Sequence, residues 1–448
     1  MRRTSSQPDR THPRKLTSRA LSGRAGRAVA AIALAMSAAT LSATPAAAAP
    51  GDFYTAPTEL TGTSPGDILR TEPMSLTLSI PGTDSPLPAR ATRILYRSND
   101  THGRPVAVSG VYYEPTAPWT GPGARPLITY AVGTQGQGDA CAPSKTAESL
   151  IGYTPPLGLA AGYETPLIEL LAARGFAVVA TDYHGLGTPE VHDWLNREAQ
   201  AHAVLDAARA ATRLPGTAIT ASPPIGIFGY SQGGAAAAAA AELHPRYAPE
   251  LDVRGASVGA PPADLMRAMP ILESSVAKGY LAWFLNGLSA DYPQARPEIE
   301  AVLSPAGLTW LDDSLTQCIP ENVARYSLVD SRTWTRSGQT VSAAIAENLV
   351  LRALLEQQRI GTTVPTVPVL MTSSTTDDIV DHHQVVQLAA DWCGRGASVQ
   401  LDRSALVPPI LHGTSVIHVA TYPVHLSRIV DWMTQRLAAI PAPSNCGS

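Results

Sequence analysis

Short apolar runs separated by helically spaced segments organise most of the chain. Arg125–Val132, Phe176–Thr181 and Ile225–Phe228 are short, mainly apolar runs, as strands buried on both faces must be, and Val253–Val258 reads as the strand that follows them. Between them, Thr165–Ala173, Glu198–Leu214 and Ala235–Leu243 carry the longer spacing and the alanine content of helices, the last stopping at Pro245. Strand and helix in alternation predict an α/β fold with a mostly parallel sheet and helices on both of its faces. Upstream the pattern changes. Met74–Ile80, Ala91–Arg97 and Pro105–Tyr113 read as strands, with turn signals at Asn99-Asp100 and His102-Gly103, so an antiparallel hairpin should lead into the sheet. The stretch from Pro50 to Pro73, rich in Pro, Gly and Thr and without a period, reads as a surface arm.

After Ser257 the alternation stops. Residues 264–355 read as helical throughout, and Val276–Leu288 is apolar on most sides, either a buried core helix or a cap helix whose inner face meets a bound acyl chain. Strand text resumes at Val364–Met371. It is followed by a helix at His382–Cys393, a strand at Ala397–Asp402, a loop at Val407–Val416 and a last helix at Pro423–Leu437. The organisation expected is therefore an export segment at 1–48, a core in two parts at 49–263 and 356–448, and a helical insertion at 264–355 between them.

Composition narrows the function. The 448-residue chain has a formal net charge of -4 and a sequence pI near 6.3, with no dense basic patch beyond its first residues, which argues against nucleic acid as a partner. Those first residues are strongly basic through Arg27, run into the apolar stretch Ala28–Ala43, and end at Ala46-Ala47-Ala48. This is the layout of an export signal cleaved after Ala48, and the apolar stretch is short for a membrane span. A secreted, extracellular protein without a transmembrane segment is expected. Its four cysteines, Cys141, Cys318, Cys393 and Cys446, contain no close Cys-x-x-Cys pair, so disulfides rather than a metal site are expected in an oxidising compartment. Cys141 with Cys318 and Cys393 with Cys446 is the preferred pairing of the three possible. No cofactor is expected, and the protein should be a monomer.

The candidate chemistry sits at Gly229-Tyr-Ser231-Gln-Gly233. An apolar strand runs into this pentapeptide and a helix former leaves it, which is what a sharp turn presenting a nucleophilic serine requires. A second match, Gly255-Ala-Ser257-Val-Gly259, is followed by Ala260-Pro-Pro262, and prolines remove amides where the helix N-terminus should begin. Ser257 is therefore read as strand. A serine hydroxyl needs a base, an acid to orient the base, and donors for the oxyanion. The Gln232 amide is one donor. Thr134 or Gln135, in the glycine-rich loop Gly133–Gly138 that follows a strand, is the other, since that loop lacks the spacing of a phosphate cradle. For the acid, Asp377 occupies the turn after the resumed strand, with Asp378 its rival and Asp381 a helix cap. For the base, His418 is preferred to His412, while His184 and His192 precede the serine and His425 falls within the last helix.

Taken together, Cys141-Ala-Pro-Ser144, the elbow, the exit Gly259-Ala-Pro-Pro-Ala-Asp264, the turn Asp377-Asp-Ile-Val380 and His418 with its trailing tryptophan helix resemble the secretory lipases related to yeast lipase A. The resemblance runs from about Gly66 to Cys446. It implies an α/β-hydrolase fold with a helical cap, a triad of Ser231, Asp377 and His418, and an oxyanion hole from Gln232 with Thr134 or Gln135. One departure is visible: the yeast enzyme carries an acidic residue near the position of Thr134 or Gln135. The activity implied is hydrolysis of acylglycerols or related carboxylic esters, acting on an ester substrate at a lipid interface. Rival readings are an acyltransferase or an esterase for other cell-envelope or aryl esters, a serine peptidase, and a non-catalytic binding protein on the same scaffold.

Overall fold

Nine strands form one sheet, in the order β1-β2-β3-β7-β4-β8-β9-β10-β11. The computed structural model describes residues 52–57, 59–76, 89–148, 151–154, 158–405 and 411–447, so the expected export segment lies outside the described residues. The strands are β1 (Ile68–Met74), β2 (Ala89–Asn99), β3 (Pro105–Pro115), β4 (Leu127–Ala131), β7 (Ala177–His184), β8 (Ile225–Tyr230), β9 (Val253–Gly259), β10 (Val369–Ser374) and β11 (Val399–Ser404); β5 (Ile151–Thr154) and β6 (Gly158–Ala161) pair separately. From β7 onward all neighbours are parallel, whereas β1, β2 and β3 join antiparallel. The four central strands are buried along nearly their whole length, which accounts for their unbroken apolar text.

Two upstream expectations need correction. The chain before Pro73 is not only an arm, because Ile68–Met74 pairs with β2 from Ile68↔Tyr96 to Met74↔Ala91. Exposed polar positions and Pro73 suit an edge strand, which needs neither a full apolar face nor every amide. The strand ends at Met74, so the expected Met74–Ile80 strand is not formed in its described part, and residues 77–80 lie outside the described residues. The β2–β3 hairpin forms as expected, from Asn99↔Pro105 outward.

Helices cover both faces. A Cβ at Gly226 of β8 would meet Met433 of the C-terminal helix, Val416–Leu437, while one at Gly229 would meet Gly233 at the start of the helix Gln232–Tyr247. These positions differ in parity, so the two helices lie on opposite faces. Ala235 to Ala241 are all buried, and such small side chains let the helix backbone approach the sheet closely. That helix runs through Pro245 to Tyr247, past its expected end, with the proline inside its last turn.

Between β9 and β10 the chain is helical from Leu265 to Gln357 and builds its own apolar cluster, including Trp283, Trp310, Trp334 and Leu351. Trp310 and Trp334 stack at 4.2 Å. Val276–Leu288 resolves into a short turn at Lys278–Tyr280 and a helix Leu281–Asp291, whose Trp283, Phe284 and Leu285 are buried. The core contributes Trp194 to this cluster. Both disulfides take the expected pairing: Cys141–Cys318 ties the loop after β4 to the helix Ile319–Tyr326, and Cys393–Cys446 ties the helix His382–Gly394 to the C-terminal tail.

Candidate active site

β8 ends at Tyr230 and a helix starts at Gln232, so Ser231 alone makes the turn, with φ 59° and ψ -122°. A side chain at Gly229 would lie 2.1 Å from the Gly233 carbonyl oxygen, and one at Gly233 would lie 2.0 Å from that of Ala131. The elbow is possible only because both flanks lack a Cβ. Ser231 sits in a backbone region that costs an ordinary residue strain energy, and it is held there by its amide donating to Gly259 O (2.9 Å) and its carbonyl accepting from Ala235 N (3.0 Å). Ser257, by contrast, lies inside β9 with a fully buried side chain.

The C-terminal helix brings His418 against Tyr230, the residue before this turn. Sequence reasoning ended the preceding loop at Val416 and started that helix at Pro423, leaving His418 between them; the helix starts at Val416, so His418 occupies its first turn, with His425 further along the same helix. Pro423 misled because a proline usually opens a helix, whereas here it lies inside one. His425 bonds Ser404 of β11 and takes no part near Ser231, while His412 is exposed. Tyr230, adjacent to the serine, donates its hydroxyl to His418 O (2.7 Å), and the Tyr230 and His418 rings lie 5.1 Å apart.

Asp377 and His418 meet. The imidazole Nδ1 is 3.0 Å from Oδ1 and 2.9 Å from Oδ2 of a carboxylate with no exposed side-chain surface. Because an ionised carboxylate only accepts, Nδ1 carries the donated proton, and in the neutral ring this leaves the lone pair on Nε2. Burial opposes the Asp377 charge, but the His418 ring and the amides of Val380 and Ile379 outweigh it and hold the carboxyl below its ordinary range. The rival, Asp378, has a different task. It accepts from Ser415 N (2.9 Å) and His418 N (3.0 Å), capping the helix that carries the imidazole. Asp381 caps the helix His382–Gly394, as expected.

On the other side of Ser231, Gln232 is the first residue of its helix, where an amide has no partner within the helix. Its side chain is fully engaged, accepting from Trp194 Nε1 (2.8 Å) and lying 3.2 Å from His192 Nε2. Among the described residues the amides of Thr134 and Gln135 also make no hydrogen bond, whereas that of Gly133 donates to Glu164 (2.8 Å). The loop is bonded through its carbonyls: Tyr163 OH donates to Thr134 O (2.7 Å) and Ile319 N to Gln135 O (3.1 Å). Glu164, Tyr230 and Tyr130 were not singled out from sequence. Glu164 before Thr165-Pro166 looks like an ordinary helix start, and nothing in the text signals that it faces inward.

His184 ends β7 and His192 lies in the loop that follows it. His184 Nδ1 lies 3.0 Å from Asp193, and His192 Nδ1 2.9 Å from His184 O. Among the described residues His184, Asp193 and Asp291 form the group with cation-ligand chemistry, their ligand atoms within 4.8 Å of one another. Thr101 OH (2.9 Å) and Asn196 Nδ2 already donate to Asp291, and burial pushes its carboxyl up to about 7.

No helix among the described residues is long and apolar enough to cross a membrane. The chain is 27% identical over 390 residues to a protein of Mycobacterium tuberculosis named probable inactive lipase, covering 87% of this chain and 82% of that one. It is also 27% identical to lipase A of Arthroderma benhamiae, covering 88% and 80%. Its fold matches that of Candida antarctica lipase A in its closed state, with a TM-score of 0.73 at 20% identity over 89% of this chain and 88% of that one, so the architecture is an α/β-hydrolase. The model of the secretory lipase family matches residues 154–445, and the chain belongs to that family of ester hydrolases.

Proposed function

We propose that the protein is a secreted lipase or carboxylesterase that hydrolyses acylglycerols or related esters through Ser231, His418 and Asp377. Ser231 Oγ attacks the ester carbonyl while His418 Nε2 takes its proton, and Asp377 holds the ring in that tautomer and offsets the imidazolium charge. The oxyanion receives the Gln232 amide and that of Thr134 or Gln135. His418 then protonates the departing alcohol, and water, activated by the same nitrogen, releases the acid from Ser231.

The observation that carries this reading is the two-oxygen grip of Asp377 on His418 Nδ1, in a helix bonded to the residue next to the strained serine. Val416 and Val419, exposed on the turn that bears His418, suit an apolar substrate or surface. Membership of a secretory family supports removal of residues 1–48 on export. A relative's name raises a second reading, a scaffold without activity. A fluorophosphonate probe separates the two: labelling of the wild type and of Ser257→Ala, with loss in Ser231→Ala, is expected. No labelling of the wild type, or loss in Ser257→Ala alone, would overturn the assignment. A chain-length series of esters, below and above their solubility limits, reads substrate class.

A further inference from the structure

Glu164 is a fully buried carboxylate that the reaction outlined above does not use. It precedes the helix Thr165–Ala173 and is 4% exposed, yet among the described residues it meets no Lys or Arg. A buried carboxyl is costly unless its oxygens are satisfied, and more so when it is charged. Here three donors satisfy it. Gly133 N (2.8 Å) and Gln135 Nε2 (3.1 Å) come from the loop after β4, and Tyr130 OH (2.9 Å) comes from β4 itself.

The Tyr130 hydroxyl continues outward to the Tyr422 hydroxyl at 2.6 Å. Tyr422 lies four residues after His418 in the same helix, hence on the same face one turn on, and its ring stacks on that of Tyr230 at 4.8 Å. One carboxylate thus bonds the loop that offers Thr134 and Gln135 and, through two phenols, the helix that carries His418. We infer that Glu164 is a positioning residue that fixes the oxyanion loop relative to the base-bearing helix. The inference rests on the proposed roles of Ser231, His418 and the loop amides.

Glu164 is bonded by the Tyr130 phenol, the Gly133 backbone amide and the Gln135 side-chain amide, and its charge is felt by the phenols of Tyr163, Tyr183 and Tyr422. With no cation among them, burial outweighs the three donors and raises the carboxyl to about 7. When Glu164 is ionised, Tyr130 donates to it and Tyr422 donates to Tyr130. When it is protonated on that oxygen, the direction of both bonds reverses, and either hydroxyl of the pair can be the donor. The loop amide binds the ionised form more strongly.

The test uses the full chain, with active sites titrated by fluorophosphonate and turnover of a soluble p-nitrophenyl ester followed against pH. Glu164→Met should lower kcat per titrated site by about ten- to a hundredfold with KM little changed. Glu164→Gln can accept from the loop through its oxygen and donate to Tyr130 through its nitrogen, so it should restore kcat to within about threefold and remove a step near pH 7 from the wild-type profile. Wild-type kcat in Glu164→Met, or a Gln variant as impaired as the Met one, overturns the inference while leaving the triad intact. Should Glu164→Met fail to fold, Tyr422→Phe reads the same connection: a several-fold lower kcat is expected, and an unchanged kcat and pH profile overturns it. A wild type that does not label at Ser231 removes the proposed function instead, and this role with it.

Discussion

Tyr230 donates its hydroxyl to the backbone carbonyl of His418 at 2.7 Å, so the residue that introduces the serine also grips the residue that carries the imidazole. Strand β8 and the C-terminal helix are far apart in sequence and are joined here by a buried polar contact. Tyr230→Phe should keep the fold and lose about 1 kcal/mol of stability, with kcat several-fold lower. Thermal melts and ester turnover check both.

The two neighbouring aspartates should separate cleanly. Asp377→Asn leaves the ring without an acceptor for Nδ1–H or forces the other tautomer, and kcat should fall by about three to four orders of magnitude. Asp378→Asn leaves the imidazole alone but weakens the cap on Ser415 N and His418 N, which should cost about 1 kcal/mol with a smaller loss of kcat. Equal effects of the two variants on kcat would contradict this division.

The sequence text disclosed the sheet more readily than its edges. β4, β7, β8 and β9 were legible because burial on both faces leaves an apolar run, and the elbow because glycine alone allows the contacts at Gly229 and Gly233. β1 was not legible, since an edge strand with exposed Thr71 to Pro73 positions shows no apolar alternation. His418 was picked out, but its setting was misjudged because Pro423 lies inside a helix. Glu164 and Tyr422 could not be found from spacing. Their importance comes from long-range contacts, 34 and 292 residues from Tyr130, for which a single sequence carries no local mark.

The Cys141–Cys318 bond fastens the loop after β4 to the helical segment between β9 and β10 across 177 residues, alongside a bridge between Gly136 and Cys318 and a bond from Gln137 N to Gln317 O (3.0 Å). Replacing both cysteines by alanine should destabilise by about 2–5 kcal/mol and lower kcat through the loop. Opening Cys393–Cys446, which ties down the tail, should lower the melting temperature with kcat near that of the wild type.

Asp291 gives a pH-dependent stability. Its native carboxyl titrates near 7 against an ordinary value of 3.8, so between these values the native protein keeps a proton the unfolded chain has released. Its contribution is complete below the lower value and is lost as pH rises through about 7. Asp291→Asn should flatten the fall in melting temperature between about pH 5 and pH 8. An unchanged slope would count against the assignment.

The elbow also sets bounds on redesign. At Gly229, Gly233 and Gly234 the obstacle to a methyl group is a main-chain oxygen, 2.0 to 2.1 Å away, and a carbonyl held in regular backbone structure cannot swing aside as a side chain can. Variant libraries aimed at new ester preferences should therefore leave these three codons untouched and place their diversity in the helical segment Leu265–Gln357, where crowding falls on side chains and can be relieved by repacking.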